Sequence, residues 1–284
     1  MYIPVIILLA FGLVDFQPAT EATPESECEV NALEPAAVFE ESDVRAVAGQ
    51  GRLARVLDAQ PEDMRARYAY RHPKETLEFL GVEPGMTVVE GLPGRGWYTR
   101  ILLPYLGEDG HLIGANYALD MWPYFPFGTD EFVESQRTWT TDWPAGAEEW
   151  RDEDSATLDA FVLGSMPDSL AGTADVVFLA RLLHNLANFE EEGGFLTAAL
   201  ADSFRILKPG GTLGIVQHQA REAMSDEFAD GSHGYLKKSF VIEAAQRAGF
   251  EFVIESDVNE NPKDRPGEDD GVWRLPPTFA TSAD

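Results

Sequence analysis

Twelve residues, Met86-Thr-Val-Val-Glu-Gly-Leu-Pro-Gly-Arg-Gly-Trp97, constrain this chain more than any other stretch. An apolar run ends in a carboxylate, Glu90, and passes directly into a turn carrying Gly91, Gly94 and Gly96. Tyr98 to Leu106 then carries the apolar spacing of a helix. Strand, glycine turn and helix, in that order, form the opening unit of a nucleotide-binding α/β fold. The glycines let the backbone approach a ligand closely, and the first amides of the helix point at it.

The turn is not of the dinucleotide kind. That kind needs a third small residue to pack the helix on the strand, and Thr99 stands there instead. After the second strand (roughly His111 to Tyr117) the ribose-binding acid is missing, and Asn116 is nearest to its place. Further along, the apolar run from Asp175 reaches a polar end at His184-Asn185. Leu207-Lys-Pro-Gly-Gly turns into another strand that ends near His218. Ser239 to Gly249 has a helical pattern stopped by glycine, and Phe250 to Glu255 reads as a strand.

A carboxylate ahead of a G-x-G turn resembles motif I of the class I S-adenosylmethionine (SAM)-dependent methyltransferases, and the later strands follow that family's order over roughly residues 70–256. More narrowly, Tyr70-Arg-His-Pro, Pro93-Gly-x-Gly-Trp-Tyr, His184-Asn185, Asn261-Pro-Lys-Asp264 and Val272-Trp-x-Leu-Pro-Pro277 resemble a group of exported bacterial predicted methyltransferases. The resemblance implies a Rossmann-like α/β fold. Its sheet would have seven, mostly parallel, strands, with helices on both faces and an N-terminal helical cap. It implies SAM as cofactor, held by Glu90, Gly91, Gly94, Gly96 and Asn116, with Ser165 where many relatives carry an adenine-contacting Asp. Asn116 and Ser165 both depart from the family pattern. An amide binds a ribose hydroxyl without the help of a charge.

In open α/β sheets ligands sit beyond the carboxyl ends of the strands. The family's strand order makes the fourth and fifth strands neighbours, so His184 and His218 would converge on one edge as bases, or as hydrogen-bonded loop residues. Arg181, Asn185 and Gln217 fall in the same zone as substrate contacts. Arg71-His72 could approach the turn from the N-terminal helices, and Trp97 and Tyr98 could wall its pocket. The five histidines show no short ligand spacing and there is one cysteine, so no metal site is expected. No Gly-x-Ser-x-Gly elbow supports a hydrolase.

The chain's 284 residues, 44% of them hydrophobic, suit one sizeable core. Tyr2 to Val14 is too short to span a bilayer, which needs ~20 residues. Followed by Thr20-Glu21-Ala22, it reads as an export signal over residues 1–22, although no Lys or Arg precedes Arg45. An acidic linker (23–44) would come next, then a single domain (45–284) with an aromatic insert (121–150) and a C-terminal extension (257–284). The mature protein would be periplasmic or secreted, without stable membrane insertion. A net charge of -28 opposes nucleic acid as partner and leaves a small-molecule methyl acceptor. Three readings stand: SAM-dependent methyl transfer, a binding or sensor module that keeps the fold without the chemistry, and an NAD-dependent oxidoreductase, opposed by Thr99 and the missing acid.

Overall fold

A computed structural model describes residues 5–10 and 41–275. Seven strands share the main sheet: β1 (Val5–Ala10), β2 (Thr87–Gly91), β3 (His111–Asn116), β4 (Thr157–Val162), β5 (Ala174–Ala180), β6 (Leu207–Val216) and β9 (Phe250–Ser256). Two short strands, β7 (Gln219–Ala220) and β8 (Leu236–Lys237), pair separately. The order across the main sheet is β4-β3-β2-β5-β6-β1-β9.

Helices follow the parallel strands. Five strands, β4 through β6, pair in parallel. The sheet has seven strands, but its parallel part has five, which corrects the expectation that parallel pairing would run through most of the seven. The sheet reaches β9 only through β1, which runs antiparallel to both β6 and β9. Residues 1–4 and 11–40, which include the anticipated cleavage site and most of the linker, lie outside the described residues, as do 276–284. The helix Glu41–Ala59 takes in the last linker positions.

Both faces of the parallel strands are covered, so they read as nearly continuous apolar runs. Val89, Ile113, Val177, Leu179 and Leu213 face one layer, which includes the helices Phe195–Ile206 and Lys238–Arg247. Val88, Leu112, Val176 and Phe178 face the other, together with Leu53, Leu77, Ile101 and Leu102. The N-terminal helices are therefore a layer over the sheet, beside the helix Thr99–Leu106. Parts of the aromatic insert pack as structural filler: the Trp143 ring lies over Gly114, and that of Trp150 against Gly96. Tyr124 and Phe127 stay exposed.

Candidate functional site

At the carboxyl end of β2 the chain enters the glycine turn with Gly94 and Gly96 at φ 57° and 74°, as a tight turn of this kind requires. Leu92, between them and the strand, adopts φ 50° without being glycine. A side chain at Gly91 would come within 2.5 Å of Leu182, so glycine there serves packing against the segment after β5. Above Gly94 there is open space, where an added carbon would meet only the Leu92 carbonyl at 3.8 Å.

The polar groups expected to hold a cofactor are engaged with protein. The Glu90 carboxylate accepts from the Thr99 hydroxyl at 2.7 Å and is buried. Burial pushes its pKa up to about 7, against the lowering effect of the Thr99 hydrogen bonds. Asn116 donates to Gln136 across 3.3 Å, a long bond to the insert. Ser165 is exposed, on a loop held by Asp202, which accepts from the amides of Gly164 and Met166.

Next to the turn, the ends of β5 and β6 carry most of the residues read as substrate contacts. Arg181 follows β5 at φ 59°, its amide donating to the Val216 carbonyl at 2.6 Å. His184 lies in the short helix Leu183–Asn188, with the Gln217 amide 3.5 Å from its Nδ1. That amide also donates to the Gly234 carbonyl at 3.1 Å, and Gln217 Oε1 and His218 Nδ1 are buried without partners among the described residues. Burial holds the pKa of His184 down to about 4 and that of His218 well below its usual value, so both rings are neutral near pH 7. Arg181, His184, Gln217 and His218 therefore come together. Asn185 does not join them. It donates to Tyr117 Oη at 3.0 Å, and Tyr117 in turn donates to the Leu182 carbonyl, tying the ends of β3 and β5.

Sequence reasoning missed several neighbours. Asn259 of the C-terminal extension bonds His72 and Thr76, and Trp273 stands edge-on to His184 at 6.3 Å. Arg71 stacks on Trp97 at 4.4 Å and lines a small cavity with Tyr98, Arg181 and Asn259. No local pattern announces Asn259, whereas Trp273 sits in a motif already singled out. A larger groove of about 470 Å³ opens elsewhere, between Val56, Arg100 and Trp150, and includes no histidine. Arg100 stacks on Trp150 in its wall, and the Trp150 ring also lies against Gly96 of the turn. Among the described residues no group of side chains is arranged to hold a metal.

No protein-family model matches the chain, and no curated protein does. Solved structures do show similarity. A SAM-dependent methyltransferase from Aquifex aeolicus is 18% identical, over 69% of this chain and 87% of that one, with a TM-score of 0.41. An arsenic(III) S-adenosylmethionine methyltransferase from Chlamydomonas reinhardtii is 14% identical over 70% and 61% of the two chains, with a TM-score of 0.40. A Haemonchus contortus N-methyltransferase is 16% identical over 69% and 44%, with a TM-score of 0.38. At these identities and TM-scores the likeness carries no argument about the chain's family or its chemistry.

Proposed function

We propose that this chain is a SAM-dependent methyltransferase acting on a small molecule. The observation that carries the reading is the strand, glycine turn and helix at β2, with a carboxylate at the strand end and open space above Gly94. The residues present fit the cofactor at the turn, provided Asn116 exchanges Gln136 for a ribose hydroxyl. Gly94, Gly96, Glu90 and Asn116 would hold it, with Ser165 beside the adenine. Bound there, SAM supplies a methyl group on a sulfonium, an activated centre that needs no covalent nucleophile from the protein.

The chain's own contribution is then to seat the acceptor in line, exclude water and take up a proton. Neutral His184 turns Nδ1, its acceptor nitrogen, to the Gln217 amide at 3.5 Å, and would take up that proton there in exchange for this long contact. Trp273 and Tyr98 supply apolar walls. Calorimetric titration of SAM and S-adenosylhomocysteine into the full chain tests the reading. Micromolar binding followed by turnover to S-adenosylhomocysteine is the expected result. Folded protein that binds neither would sink it.

A second reading, a binding module without methyl transfer, is favoured by the Tyr117–Asn185 bond, which closes the strand ends beside the turn. Binding without turnover would select it.

A further inference from the structure

The chain has 49 acidic residues against 21 basic ones, yet two of its arginines line a cavity without a carboxylate. Among the described residues, neither the Arg71 nor the Arg181 side chain has a hydrogen-bonded or ion-paired partner, and Arg71 has only its stacking on Trp97. The cavity is small, about 10 Å³, room for roughly one water. Asn259 and Tyr98 complete its polar lining, and Tyr70, 62% exposed, stands at its rim.

Holding two cations this way is costly. Burial, and then the charge of Arg181, pushes the Arg71 pKa down to about 9. Burial lowers Arg181 too, with Arg67 adding to the effect and Tyr98 opposing it. A guanidinium keeps its proton at neutral pH, so both side chains carry their charge into this partly buried place without a carboxylate beside them. Arg181 is also held in a left-handed backbone conformation, which costs on the order of 1–3 kcal/mol outside glycine. Uncompensated charge and strain at one place mark a site prepared for a counter-charge from outside the chain.

We propose that Arg71 and Arg181 recognise the carboxylate or phosphate head of a small organic anion, seated between the N-terminal helices and the end of β5. Two guanidiniums suit paired oxygens, which accept charge-assisted hydrogen bonds from both. The acidic exterior repels polyanions at long range, so only a ligand with little charge of its own reaches the cavity readily. Tyr70, exposed at the rim, turns aside to admit the body of the ligand, while Asn259 stays bonded to His72 and Thr76. The site stands whether or not the glycine turn binds SAM.

The test is thermal unfolding and calorimetry of the full chain with succinate, glycerol phosphate, inorganic phosphate or sodium chloride at matched ionic strength. At least one organic anion raises Tm above its value in sodium chloride of the same ionic strength. Arg71→Gln and Arg181→Gln each weaken that binding roughly tenfold or more. Without anions, Arg181→Gln melts at or above the parent, because it no longer holds an uncompensated charge. Stabilisation by inorganic phosphate but by neither organic anion would overturn the organic ligand. No anion-specific rise, or a rise that both variants keep, would overturn the site itself.

Discussion

Glu90 and His184 are both buried near the end of the β2–β5 pair, and burial acts on them with opposite sign. The folded Glu90 holds its proton up to about pH 7. Its contribution to stability is full below the unfolded value near 4.5 and is lost as pH rises through 7. His184 is depressed to about 4, so its burial as a neutral ring is fully tolerated above 6.5 and penalised as pH falls towards 4. Glu90→Gln should therefore gain stability over the parent between pH 4.5 and 7, by roughly 3 kcal/mol at most. His184→Asn should flatten the loss on the acid side. Urea unfolding at pH 5 and 8 measures both, and pH profiles parallel to the parent would show that neither group titrates in this range. Reading strand ends from sequence located Arg181, His184, Gln217 and His218 because parallel neighbours present their carboxyl ends on one edge. It did not show Glu90 turned towards Thr99, or Asn185 towards Tyr117. Those choices depend on side-chain directions set by partners up to 68 residues away.

At the scale of elements, β1 is where two readings of the sequence meet. A short apolar run bounded by turns reads equally as a leader or as a buried strand, because nothing in its pattern says what lies beside it. Here Val5 pairs with Val216 on one side and Ser256 on the other, so the run joins β6 to β9. The parallel strands themselves were legible, since burial on both faces leaves long apolar runs between glycine turns. An exported chain that lost residues 1–22 would lose β1 with them. Removing these residues should leave β9 without its ladder partner while Phe252, Val253 and Ile254 are already 37%, 50% and 48% exposed. Unpaired apolar strand edges recruit other chains. The truncated protein should melt at lower temperature and scatter light on standing. An unchanged Tm and a clear solution would show that β1 adds nothing to the stable fold.

At the scale of the whole molecule, a net charge of -28 makes self-repulsion a general term. Raising sodium chloride from about 0.01 M to about 1 M shortens the screening length from roughly 30 Å to 3 Å. Tm should rise over that range in the parent and in Arg181→Gln alike, which separates this general effect from the specific action of an anion at the arginines. A flat salt response would mean that the surface charges are too dispersed to matter. The pairing of Val5 with Ser256 also has a consequence in time. The two residues are separated by roughly 250 others, so at about 5–20 residues per second this pairing waits tens of seconds for its second strand to be made. Until then the apolar hexapeptide Val5–Ala10 lacks that neighbour and is open to chaperones or to secretion machinery. Its fate is a race between capture and the completion of translation.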